Sequence, residues 1–135
     1  MQPLKLLLDT HTLLWTIGKT DELSDLIIYE LKNASNEILV SAVSLWEIAL
    51  KHSLGKLIIS FEIKNIPEYC KRMGFELIPL EALTALNSQQ LPQKNNHKDP
   101  FDRMLIYQCI TNGYTLASKD QKIKAYAEDG LKYIW

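Results

Sequence analysis

The sequence has few of the devices that fix a fold or a function from outside its core. Its 135 residues include only two cysteines, Cys70 and Cys109, far apart and in no Cys-x-x-Cys pair. That spacing excludes a thiolate zinc site and a redox dithiol, and leaves two buried thiols in a reducing compartment as the simplest account. No apolar run approaches the roughly 18 residues needed to cross a bilayer. The stretch Met1 to Leu8 holds one lysine and a short apolar run ended by Asp9, which is neither a secretory leader nor an anchor. A cytoplasmic protein without a membrane partner is expected. An excess of positive charge is also missing. Lysine and arginine number 15 against 16 acids, a formal net charge of -1, and a chain that reads duplex DNA is usually plainly basic. Low-complexity tracts and internal repeats are absent as well.

What is present is an ordinary globular composition, 47% hydrophobic and 23% charged, enough for one domain over residues 1–135 with a core of its own. Short continuous apolar runs at Lys5–Leu8, Ile38–Val40, Phe75–Ile78, Thr115–Ala117 and Tyr133–Trp135 read as strands covered on both faces. Between them, helical patterns fall at Ser24–Ala34, Ser44–Leu54, Ile63–Met73, Glu81–Gln90 and Pro100–Asn112, several closed by glycine. Strands alternating with helices predict an α/β fold with a mainly parallel sheet, whose ligands bind beyond the carboxyl ends of its strands. The polar stretch Gln89–Lys98 reads as a mobile loop near such a site.

Four acids stand at or near those carboxyl ends: Asp9 after the first strand, Glu47 after the second, Asp102 at the head of the helix behind the long loop, and Asp120 after the fourth strand. Each has an ordinary explanation. Asp9 and Asp120 suit a cap or turn, Ser44-x-x-Glu47 has the form of a capping box, and Asp102 follows the cap-and-proline pair Asp99-Pro100. Their collective placement has a weaker one. The fold would bring all four to one rim, where like charges repel. A hard divalent cation, magnesium or manganese, answers that repulsion, and acids around one or two such ions suit phosphodiester hydrolysis.

The stretches Leu7-Leu8-Asp9-Thr10-His11-Thr12-Leu13-Leu14-Trp15, Ser44-x-x-Glu47, His97-x-Asp99-Pro100-Phe101-Asp102-Arg103 and Ser118-x-Asp120 resemble the PIN-domain family, in order and over essentially the whole chain. They look most like its VapC-type branch, the toxins of bacterial toxin–antitoxin pairs. The resemblance implies a three-layer α/β/α sandwich and an acidic pocket for Mg2+ or Mn2+ formed by Asp9, Glu47, Asp102 and Asp120. It also implies cleavage of RNA, a homodimer, and silencing by a partner antitoxin. Asp99 is an extra acid of this branch, expected to cap its helix or pair with Arg103 one turn on.

Around the quartet, Ser118, Arg103, His97 and Lys119 are candidate substrate contacts. Ser118 would orient a water or a carboxylate, His97 would touch a phosphate or shuttle a proton, and Arg103 and Lys119 would bind the RNA backbone. The lysines between Lys94 and Lys124 make a basic stretch, read more simply as a solvated face. Trp15, Trp46 and Trp135 suit core or dimer-interface anchors better than base-stacking platforms. Two other functions fit less well. An aspartate-based phosphatase or phosphotransfer domain would want a second acid two residues after Asp9, where His11 stands. A catalytically silent RNA- or protein-binding module would have no need of four converging acids.

Overall fold

The computed structural model describes residues 2–135. Five strands, β1 (Lys5–Leu8), β2 (Glu37–Ser41), β3 (Glu76–Ile78), β4 (Thr115–Ala117) and β5 (Lys132–Ile134), form one sheet in the order β3-β2-β1-β4-β5. Every neighbouring pair is parallel. The expectation of a mainly parallel sheet is thus met in full.

The side-chain alternation of the strands builds two cores. On one face Leu6 and Leu8 of β1 and Ile38 and Val40 of β2 pack with Leu13 and Ile27. On the other face Leu7 and Leu39 pack with Leu105, Ile106, Cys109 and Tyr126. Because β1 is covered on both sides, Leu6, Leu7 and Leu8 are all fully buried, which is why a helix-like or strand-like period is absent from it. The helices α1 (Thr10–Gly18), α2 (Asp25–Lys32), α3 (Ala42–Ser53), α4 (Ile66–Arg72), α5 (Ala82–Asn87) and α6 (Pro100–Asn112) supply the outer layers. Both cysteines are free and buried in these cores.

Three local expectations change. First, Thr10–Gly18 is a helix that the apolar pattern does not announce, because its threonines hide the period; Thr12 and Thr16 turn inward and satisfy their hydroxyls on the carbonyls of Ala117 and Thr12. Second, α3 begins at Ala42 under a cap from Ser41, whose hydroxyl accepts from the N–H of Val43. The Ser44-x-x-Glu47 pattern is therefore not a capping box and lies inside the helix. Third, Glu81–Gln90 splits into α5 and a 3-10 turn at Ser88–Gln90, and Ile63–Asn65 likewise precedes α4 as a 3-10 turn.

The order of the strands decides where a site can lie. From β1 the chain moves outward through β2 and β3, then returns across the sheet to place β4 on the other side of β1. The connections leaving the carboxyl ends of β1 and β4 run to opposite sides at this reversal, leaving a crevice of the kind that binds ligands in open parallel sheets. Asp9 follows β1 directly, and Ser118 and Asp120 follow β4.

Candidate active site

Asp9, Asp102 and Asp120 line one cleft of about 300 Å³ at that crevice, with His11, Trp15 and Lys119 on its wall. Ser118 joins the same three acids at the cleft floor. Capping and site-building are not alternatives here. One oxygen of Asp9 accepts from the N–H of Thr12 at 2.8 Å, and one of Asp120 accepts from the N–H of Lys122 at 2.9 Å. The second oxygen of Asp120 is left for the cleft. Asp102 rides on the first turn of α6, whose amino end, like that of α1, favours negative charge.

Asp99 is the cap of α6, accepting from Phe101 and Asp102 N–H at 2.9 and 3.0 Å. The alternative expectation, an ion pair with Arg103, is not what forms. The guanidinium of Arg103 instead donates to the carbonyls of Leu91 and Pro92 and to the Tyr126 hydroxyl. It is spent on tying down the loop, which is accordingly pinned rather than free. His97 is not a surface residue of that loop: it is 3% exposed, with Nδ1 2.9 Å from Tyr126 Oη and Nε2 3.5 Å from Asp102 Oδ2. Ligand atoms of His97, Asp102 and Asp120 all lie within 4.8 Å of one another.

Glu47 stands behind the cleft, buried. Its Oε1 accepts the Thr10 hydroxyl at 2.6 Å, and its Oε2 holds the ammonium of Lys51 one helical turn on. Lys51 is the residue that reading the sequence missed. Its charge is stabilised first by the hydrogen bond to Glu47 and then by the fields of Glu47, Asp99 and Asp102, against the cost of burial. The only signal for it was the i, i+4 spacing from Glu47. Of the remaining candidates, Ser118 is buried and accepts from the N–H of Asp120 at 3.2 Å, so it shapes the acid-bearing turn. Lys119 is exposed over the ring of Trp15, 5.6 Å from its centroid. The basic stretch disperses, with Lys94 paired to Glu128 and Asp129.

The electrostatics follow from this crowding. Burial, followed by the charges of Asp99, Glu47, Asp9 and Asp120, pushes the Asp102 carboxyl up to about 7. Burial also raises Asp9, opposed by hydrogen bonds from Ser118 and Thr12. Acids held at such a cost are the mark of a functional site more than of a stabilising one. The donor set is mostly hard carboxylate oxygen, which fits a divalent cation of the magnesium or manganese type.

Over nearly its whole length the chain is similar to known proteins. The PIN domain family model matches residues 6–129. Ribonuclease VapC22 of Mycobacterium tuberculosis (strain ATCC 25618 / H37Rv) is 24% identical over 133 residues, covering 96% of this chain and 97% of its own. The crystal structure of VapBC2 from Rickettsia felis, bound to a DNA fragment from its promoter, superposes with a TM-score of 0.67 at 20% identity over 98% of this chain and 99% of that one. DNA-bound VapBC from Salmonella typhimurium gives 0.65 at 19% identity, over 97% of each chain.

Two outcomes are expected without divalent ions. Because the folded-state pKa of Asp102 lies above its unfolded value of 3.8, the folded form loses stability as pH rises from about 4 to about 7. Asp102→Asn removes that loss, so its melting temperature in EDTA at pH 8 exceeds the parent's by roughly 5 °C, while the two converge near pH 4. Lys51→Met strands Glu47 and costs about 1–2 kcal/mol in urea unfolding, less than a fully buried pair because the Lys51 side chain is 36% exposed. Adding Glu47→Gln recovers most of it.

Proposed function

The chain belongs to the PIN-domain family, and from that membership we propose that it is a metal-dependent endoribonuclease, the toxin of a toxin–antitoxin pair. The observation that supports this reading most is the cleft itself, where Asp9, Asp102 and Asp120 converge with Glu47 close enough to raise the pKa of Asp102. A single structural cap would not need three companions of its own charge.

Asp9, Asp102 and Asp120 would hold the ion, with Glu47 completing the shell directly or through water. When bound, Mg2+ or Mn2+ supplies an activated water and stabilisation of charge on the phosphate and leaving oxygen. The chain's own residues do the rest. The turn built by Ser118 presents Asp120, and the amino end of α6 presents Asp102. Thr10 holds Glu47 in place from α1, and Lys51 balances its charge. Lys119, exposed on the cleft wall, would meet the RNA backbone. Arg103 and His97 are not placed for that contact, since both are engaged inside the loop.

The partners proposed are RNA as substrate, a second copy of the chain, and a cognate antitoxin; the VapBC complexes among the structural neighbours support the last. Exposed Trp46, Leu83 and Leu86 offer apolar surface for association between copies. No helix among the described residues is long and apolar enough to cross a membrane.

Purified protein should cleave RNA with Mn2+ or Mg2+ and stop in EDTA. Asp9→Asn and Asp102→Asn, each verified as folded by circular dichroism, should lose at least about 100-fold in rate, the equivalent of about 3 kcal/mol of transition-state stabilisation. Metal-independent cleavage, or full activity in either variant, contradicts the assignment.

A further inference from the structure

We infer that His97 is a positioning residue for Asp102, held by Arg103 and Tyr126 in the tautomer that carries its proton on Nε2. The inference rests on the reading of Asp102 as a metal-binding carboxylate, and it assigns His97 a place behind the ion's ligands rather than among them.

Tyr126 is fully buried, and its hydroxyl has two partners among the described residues, Arg103 Nη1 at 3.1 Å and His97 Nδ1 at 2.9 Å. A guanidinium only donates, so the phenol oxygen accepts from Arg103 and its own proton needs an acceptor. His97 Nδ1 is the acceptor within reach. A ring that accepts at Nδ1 is neutral and carries its hydrogen on Nε2. That Nε2–H faces Asp102 Oδ2 at 3.5 Å, a long contact that orients the carboxylate and leaves its other oxygen unclaimed.

The backbone is shaped toward the same end. Asn95 and Asn96 both adopt positive φ, 47° and 58°, a conformation that asparagine tolerates better than most residues. The turn lets His97 N–H donate to the Lys94 carbonyl at 2.7 Å, while the Gln93 side chain donates to the His97 carbonyl at 2.8 Å. Arg103 holds the start of the loop through Leu91 and Pro92 as it holds Tyr126. Two consecutive left-handed residues, a clamped loop and a buried phenol thus converge on one imidazole. The arrangement explains why the arginine beside Asp102 turns inward: it fixes the direction of a hydrogen-bond chain that ends on that acid.

The nearness of His97, Asp102 and Asp120 would also suit three ligands of a single ion, and the tautomer separates the two arrangements. Long-range ¹H–¹⁵N correlation spectra of the metal-free protein near neutral pH should show His97 protonated at Nε2, and the signal should persist when Mg2+ is added to saturation. Tyr126→Phe should release the ring into a mixture of tautomers. The Mg2+ dissociation constant, measured by calorimetry, should weaken about 10-fold in Tyr126→Phe and in His97→Ala. His97→Gln, whose amide nitrogen can stand in for Nε2–H, should retain most of the affinity. Protonation at Nδ1 in the parent protein, or loss of the Nε2 proton on binding Mg2+, overturns the inference while leaving the nuclease assignment intact. Equal loss of affinity in the Gln and Ala variants also overturns it. Failure of the parent protein to bind Mg2+ at all overturns both.

Discussion

Like charges crowded at a half-buried sheet edge are the constraint on which the rest of this structure depends. Asp9, Asp102 and Asp120 share a cleft, Glu47 and Asp99 stand close behind, and burial together with these charges drives the Asp102 carboxyl up to about 7. Such a cluster opposes folding unless something offsets it. The protein offsets part of it without any ion. Asp9 and Asp102 stand at the amino ends of α1 and α6, one oxygen each of Asp9, Asp99 and Asp120 accepts a cap N–H, and Lys51 pairs with Glu47. What remains is negative charge facing the cleft, the part a divalent cation would satisfy.

The fold's contribution is to make this crowding possible with short elements. A β1 of four residues buried on both faces gives a rigid centre, and the reversal of strand order beside it opens the crevice. Asp9 and the Ser118–Asp120 turn then need only follow their strands to arrive there. Asp102 comes from a different layer, on α6, and its position depends on the loop before it being held. That explains the investment in Arg103, Tyr126 and the left-handed Asn95-Asn96 turn, none of which touches the cleft's open side.

Much of this was legible in the sequence. The central strands β1, β2 and β4 show as short apolar runs because they are covered on both faces, whereas the edge strands β3 and β5 are partly exposed, and the acids show because each follows such a run or heads a helix after Asp-Pro. What escaped notice did so for physical reasons. The helix α1 is written in threonines whose hydroxyls find internal carbonyl partners, so its inward face looks polar. Lys51 reads as a surface lysine because the burial of its partner, Glu47, is a tertiary fact. His97 on the loop and Arg103 on the first turns of α6 look free to meet a phosphate, and Tyr126, brought in from the 3-10 segment Gln121–Asp129, with the carbonyls of Leu91 and Pro92, turns them inward. Local pattern registers which residues are unusual. It does not register which of them are already occupied by one another.

The account's central claim is that the acid cleft is a cation site, and anomalous diffraction from crystals soaked in Mn2+ tests it most directly. The account predicts a manganese peak within about 2.0–2.4 Å of carboxylate oxygens of Asp9, Asp102 or Asp120. A peak elsewhere, with the cleft filled only by water or by a lysine side chain, would contradict it.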